Sequence, residues 1–236
     1  MQISYRLAFG VALVLLVSGG VARAQHDIAD VVDSAKRGDL ETLRDVIAAG
    51  ADAAAVSSDG ATALLWASYR DDIEMAGWLL TVNAPVNTAN DLGVTPLWAA
   101  SENRSAQMVA LLLENDADPN LALLSGETAV MIAARAGSEE VVRLLANAGA
   151  DLDRSATRGQ TALMWAAANH HSATVKALLE YGADVHRRSA VWSQMMAVPP
   201  HSWTKRDIPH GGNTALMFAA RVGDVVSAQY LVVAGA

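Results

Sequence analysis

The sequence predicts an all-α solenoid: a stack of about six helix-turn-helix units with β-hairpin-like tips and one insertion between units five and six. Three observations carry this. A threonine followed by Ala or Pro and then Leu or Val stands at Thr62, Thr95, Thr128 and Thr161, three intervals of 33 residues. The same triplet returns at Thr214, 53 residues on, which is one further period plus 20. A second repeat, Gly-Ala-Asp, closes the units at Gly50-Ala51-Asp52, Gly149-Ala150-Asp151 and Gly182-Ala183-Asp184, and Gly235-Ala236 begins it again. A fixed period of this length marks small units that each bury a face against the next. Such an array presents a surface rather than a pocket, so the sequence argues for binding before chemistry.

Residues 1–24 precede the repeat. Arg6, the apolar run from Leu7 to Val17 and then Ala22-Arg23-Ala24 have the form of a Sec-type signal peptide cleaved before Gln25. The run is shorter than the roughly 20 residues of a membrane span, and there is no cysteine for a lipid anchor and no Arg-Arg pair before the run for twin-arginine export. The expected location is therefore periplasmic or secreted, with no membrane span after cleavage. Loss of Arg6 and Arg23 would take Lys+Arg from 17 to 15 against 25 Asp+Glu, a net charge of −10. Such an acidic surface repels phosphate backbones and argues against nucleic acid as a partner.

The repeats then follow at about 27–56, 57–89, 90–122, 123–155, 156–189 and 209–236, with the insertion at about 190–209. In the first unit Ala29 stands where threonine is expected, and Asp30, Asp33 and Ser34 make its first helix polar, as an end cap facing solvent requires. Units two to six each open on a glycine two residues before the threonine, for example Gly60-Ala61-Thr62 and Gly126-Glu127-Thr128. Glycine permits the tight turn, and the threonine hydroxyl can cap a helix. Pro96 falls where a helix tolerates a missing N–H. Alanines then let neighbouring helices approach. A second helix begins about four residues later, as at Glu139-Glu-Val-Val-Arg-Leu-Leu145. Its closing glycine suits a left-handed residue, and Asn83 and Asp116 replace it with the types that best tolerate that conformation. In the sixth unit Val225, Val226, Leu231 and Val232 are apolar residues that expect another unit against them, so the sequence reads as truncated.

This pattern resembles the ankyrin repeat, with its Asp-x-x-Gly-x-Thr-Pro-Leu-His-x-Ala-Ala signature, over roughly residues 27–236. Two departures stand out: Pro is usually Ala, and the signature His is Leu65, Trp98, Met131, Met164 or Met217. These large residues read as packing. The resemblance implies that a protein partner meets a concave side built from hairpin tips and the ends of the first helices. The helix-end candidates are Tyr69, Arg70, Glu102, Asn103, Arg135, Asn169 and Arg221. The tips run through Ser58-Asp59, Asp91-Leu92, Leu124-Ser125, Thr157-Arg158 and His210-Gly211, with Asp91 and Arg158 as candidates.

The insertion is expected to project from the tip edge. It holds Trp192, Trp203 and a Pro199-Pro200 pair, and Arg187, Arg188, Lys205 and Arg206 make it a basic island. Its candidate contacts are Trp192, Trp203, Lys205 and Arg206, since aromatic and basic side chains dominate interfaces. Six histidines show no HExxH or other tight ligand spacing, and cysteine is absent. His171 has a structural explanation at the break between helices. No metal or cofactor is expected. No serine sits in a nucleophile elbow, and no P-loop or dinucleotide glycine pattern occurs. The expected function is an exported scaffold for protein–protein interaction with no catalysis of its own. The alternatives are a recognition domain of a longer envelope enzyme, or a peptide or small-molecule sensor.

Overall fold

The computed structural model describes residues 31–197 and 205–236, with side chains described for 31–191 and 211–236. The expected signal segment lies outside the described residues. Among these, twelve helices form six consecutive pairs: α1 (31–37) with α2 (Leu40–Ala48), α3 (Ala63–Tyr69) with α4 (Ile73–Thr81), and α5 (Pro96–Glu102) with α6 (Ala106–Glu114). The remaining pairs are α7 (Ala129–Ala136) with α8 (Glu139–Asn147), α9 (Ala162–Ala168) with α10 (Ser172–Glu180), and α11 (Ala215–Val222) with α12 (Val225–Val233). First helices pack on first helices and second helices on second helices, giving two layers.

The core between the layers repeats with the sequence. Leu79, Leu112, Leu145, Leu178 and Leu231, one in each of units two to six, are fully buried. Ala67, Ala100, Ala133, Ala166 and Ala219 are also fully buried, which lets the first helices approach as the alanines predict. Pro96 occupies the first turn of α5.

The cap expectation holds in part. The Thr62 and Thr95 hydroxyls accept from the N–H of Leu65 and Trp98, at 3.1 and 3.2 Å. Thr128, Thr161 and Thr214 make no side-chain cap bond, and the Thr128 oxygen is buried without a partner. Second helices are capped by Asp39, Asp72, Ser105 and Asp224. Burial pushes the Asp224 carboxyl up, but the Ser227 hydroxyl and N–H outweigh it and hold it below the ordinary value. A folded pKa below the unfolded one adds stability above the unfolded pKa, near 3.9, and loses it as pH falls through the folded value. Asp224→Asn should therefore flatten the acid limb of the stability profile, read by denaturant melts between about pH 2 and 5.

The closing positions Gly50, Asn83, Asp116, Gly149, Gly182 and Gly235 all have positive φ, as predicted. A second left-handed series marks the break within each pair: Gly38, Asp71, Arg104, Gly137, His170 and Gly223. Three of these carry side chains in a conformation that costs an L-residue roughly 1–2 kcal/mol. The break is compulsory, because the chain must reverse within three residues.

Side chains pin consecutive units together. Asn87 accepts from the N–H of Asp118 at 2.8 Å and donates to the Asp116 carbonyl at 3.0 Å. One unit on, Asn120 accepts from Asp151 at 2.8 Å and donates to Gly149 at 3.1 Å. At the next position Asp153 accepts from the Asp184 N–H at 2.8 Å but has no N–H to donate. Arg143 bridges Glu139 on its own helix and Glu180 of the next unit at 2.9 and 2.7 Å.

Two expectations at the ends are corrected. Ser34 is fully buried and accepts from Arg37 at 3.3 Å, so it takes an alanine-like inner position rather than the solvent face. Leu231 is buried in its own unit's core, because the helical repeat turns it inward. Val225, Val226 and Val232 are exposed as expected, and Val233 is 89% exposed. Val225, Val232 and Val233 flank a cleft of about 440 Å³ floored by Ala219, Ala220 and Ala228. With one neighbour among the described units, the sixth pair should exchange its amides faster than the four pairs before it, because solenoid stability sums unit and nearest-neighbour terms. Equal hydrogen-exchange protection in 63–180 and 215–233 would contradict this.

Between units five and six the insertion is an antiparallel hairpin of β1 (Val191–Ala197) and β2 (Lys205–Gly211), with Val191 opposite Gly211 and Ala197 opposite Lys205. The hairpin prolongs a tip: Ser189 and Asn213 exchange backbone and side-chain bonds at its base, at 3.0 Å each. Elsewhere the tips close with single bridges, Val56 to Thr62 and Ala122 to Thr128.

Candidate functional site

The tips and first helices of units two and three enclose a groove of about 310 Å³. Asp59 and Asn90 come from the tips, and Trp66, Tyr69, Trp98 and Glu102 from α3 and α5. Each is set by the repeat. The turn at Gly60 and the Asp91 N–H to Asp59 carbonyl bond, 3.0 Å, fix the two tips side by side. Asn90 folds its tip by accepting from the N–H groups of Leu92 and Val94 at 3.0 and 2.9 Å. The Ser57 hydroxyl donates to the Asp59 carboxylate and holds it below the usual carboxylate range.

Aromatic rings form the wall. Trp66 and Tyr69 meet edge to face, 5.9 Å between centroids at 82°, and Tyr69 remains 57% exposed. Trp98 lies in the groove rather than in the core, and its indole N–H is buried without an acceptor. That corrects the reading of Trp98 as packing: at this position Met131 and Met164 are buried between helices and Leu65 is buried at the floor of the same groove, whereas Trp98 is only partly buried. Met217, at the same position of the sixth unit, is 47% exposed. Beyond the groove, Arg135 sits 3.9 Å from Glu102 and lies over the Trp165 ring at 5.0 Å. Lys36 lies over Trp66 at 4.9 Å.

The predicted residues divide by role. Tyr69 and Glu102 line the groove and Arg135 borders it. Arg221 lies over the Phe218 ring at 4.8 Å, three units further along. Two others brace the stack, and a third caps its own helix. Arg70 donates to the Lys36 carbonyl at 3.4 Å and packs over Gly38, and Asn103 donates to the Ser68 and Tyr69 carbonyls at 3.2 and 2.8 Å. Asn169 donates to the Trp165 carbonyl at 2.8 Å. Asp91 is exposed on its tip. Arg158 adopts φ +71° on the tip of unit five, where its carbonyl accepts from the Ala190 N–H.

In the insertion, Trp192 pairs with His210 along the strands, and Lys205 and Arg206 pair with Ala197 and Met196. Trp203 lies outside the described residues, as do the side chains of Trp192, Lys205 and Arg206. Arg187 and Arg188, read as part of a basic island, donate to the carbonyls of Asp153 and Gly212 at 3.0 and 2.9 Å and so anchor the hairpin. His171 meets the Arg135 carbonyl at 3.0 Å, the structural role predicted for it. No group of three metal-ligating side chains occurs among the described residues. Nor is any helix there long and apolar enough to cross a membrane. Because the hairpin closes on itself at Ser189 and Asn213, replacing 190–209 by a direct join should leave helical circular dichroism within about a tenth of the parent, as long surface insertions are thermodynamically tolerated. Loss of the helical signal would mean that the hairpin supports the stack.

Sequence reasoning missed Trp66 and Trp165 and misplaced Trp98. The signal was present: a tryptophan three or four residues after the threonine falls at the rim of the first helix.

A family model described as Ankyrin repeats (3 copies) matches residues 32–123 and 119–189, and one described as Ankyrin repeat matches residues 211–236. No curated protein gave a match. Ankyrin repeats generally mediate protein–protein interaction, and the family is typically non-catalytic. The matched segments stop at 189 and resume at 211, the two feet of the hairpin, and together they cover the second to sixth helix pairs and nearly all of the first. The chain belongs to the ankyrin-repeat family.

Proposed function

We propose that this chain is an exported scaffold that binds a protein partner through the tips and first helices of units two to four and performs no catalysis itself. The observation that carries this is the groove between units two and three, where rings and carboxylates converge on an open face. Large aromatic side chains with a polar tip supply contact area at low entropic cost, which is why they anchor interfaces. Tyr69, Glu102 and Arg135 are its contact residues, and Trp192, Trp203, Lys205 and Arg206 offer a second contact on the hairpin. Export rests on the form of residues 1–24 and places the partner in the cell envelope or outside the cell.

The test uses the tagged chain, and a Tyr69→Ala/Arg135→Ala version with unchanged circular dichroism, as baits in envelope extract. A protein retained by the first and lost by the second supports the reading. Equal retention of every captured protein moves the interface off this face. Intact mass of the secreted or periplasmic form tests the export reading. A chain beginning at Met1 in a purely cytoplasmic pool would end it.

A further inference from the structure

The lining of the groove is chemically one-sided. Two carboxylates, Asp59 and Glu102, and three rings, Trp66, Tyr69 and Trp98, face a volume of about 310 Å³, and among the described residues no lysine or arginine lines it. That volume suits one or two side chains rather than a folded surface. A greasy residue would fill it poorly, because it would strip water from both carboxylates without pairing them.

The protein already makes the contact that this lining lacks, immediately beside it. Arg135 places its guanidinium 5.0 Å over the Trp165 ring and 3.9 Å from Glu102. At the other edge Lys36 puts its ammonium 4.9 Å over Trp66. The chain's own basic residues therefore border the groove on both sides, Lys36 over its Trp66 ring and Arg135 beside its Glu102 carboxylate while stacked on Trp165 further along. The middle offers the same partners, ring faces and carboxylates, to a group from outside.

We propose that the groove between units two and three receives a cationic side chain of the partner, arginine in preference to lysine. Asp59 and Glu102 act as counter-charges, and Trp66, Tyr69 and Trp98 as walls. Arginine is favoured because its planar guanidinium stacks on a ring while its fork engages a carboxylate, whereas the lysine ammonium is a strongly hydrated point charge. The net charge of −8 draws such a segment to the protein, and the groove selects within it. The Ser57 hydroxyl donates to the Asp59 carboxylate, which lines the groove, and holds it below the usual carboxylate range. The inference rests on the proposal that this face binds a protein partner.

The test measures anisotropy of a labelled Gly/Ser nonapeptide with two arginines, titrated with the 236-residue chain at physiological salt. The same peptide with lysine, and with neutral citrulline, are the comparators. The arginine peptide should bind at least about tenfold more tightly than the citrulline peptide, with lysine between. Glu102→Gln and Tyr69→Ala, both exposed changes, should each weaken it at least about fivefold, while Glu140→Gln, an exposed acid on α8, should cost less than about twofold. Equal binding of arginine and citrulline peptides overturns the inference. So does an equal loss with Glu140→Gln, which would mark nothing beyond overall charge. A natural partner that is lost with the Tyr69→Ala/Arg135→Ala bait, but whose basic residues can be neutralised without effect, overturns this inference and leaves the scaffold reading intact. A selective arginine groove, with every captured protein indifferent to that bait, does the reverse.

Discussion

Leu145→Ala is expected to destabilise the protein by about 2–5 kcal/mol, the range for removing a fully buried leucine where the surroundings close only partly over the cavity. Leu145 is fully enclosed on α8, in the row that runs Leu79, Leu112, Leu145, Leu178 and Leu231. Its unit touches a neighbour on each side through α6 and α10. In a linear array, weakening an inner unit also removes what its neighbours lean on. The change should therefore broaden or split the urea transition, while Leu231→Ala, in the sixth unit, should shift only the part reported by α11 and α12. Urea melts followed by circular dichroism and by hydrogen exchange check both. A loss below about 1 kcal/mol for Leu145→Ala would mean that the layers repack freely around the gap.

Gly93→Ala is expected to cost about 2 kcal/mol or more. Two terms combine. The residue has φ +84°, a conformation that costs a side-chain-bearing residue roughly 1–2 kcal/mol. An added Cβ would lie 2.9 Å from the Leu123 Cα and 3.0 Å from the Ala122 carbonyl oxygen, both backbone of the next tip, so the tips of units three and four must part. Gly149→Ala separates the terms, because its φ of +85° is nearly the same while nothing lies within 4 Å of the added atom. Gly149→Ala should show the conformational cost alone. Equal losses for the two variants would show that the tips yield easily to one another.

The period, the tip glycines and the closing residues were legible because each is a local demand repeated in register. Asn83 and Asp116 take the left-handed place of Gly50 and Gly149, and the substitution is visible in the letters themselves. The break within each pair was only half legible. Gly38, Gly137 and Gly223 announce it, but nothing in Arg104 or His170 says that they adopt the same conformation; the geometry of reversing between two packed helices imposes it.

The candidate groove was legible in Tyr69 and Glu102 and obscure in Trp98. Its walls come from residues 59 and 98, brought together only by stacking two units. Arg70 and Asn103 looked like free helix-end groups, yet they are committed to carbonyls of the preceding unit, contacts that span 34 and 35 residues. The strands of the insertion were hidden for another reason. Val191-Trp-Ser-Gln-Met-Met-Ala197 lacks strict alternation and Pro209 sits within β2, so neither segment carries the period-2 signature of a half-buried strand.

The amide pins have a mechanical consequence. Asn87 and Asn120 each hold the following unit by two bonds, one given and one received, so sliding or tilting there must break both at once. Asp153 holds its successor through a single accepted bond, with Arg187 reaching back to its carbonyl on a long, bendable stem. Compliance along the rod is therefore uneven. Along this edge the joints between units two and three and between three and four are the stiffer ones, and the joint between units four and five, tied elsewhere by Arg143 to Glu180 and by His171 to the Arg135 carbonyl, yields first at its closing turn. A partner gripping both regions would bend the protein there, carrying the hairpin through an arc while the aromatic groove keeps its shape.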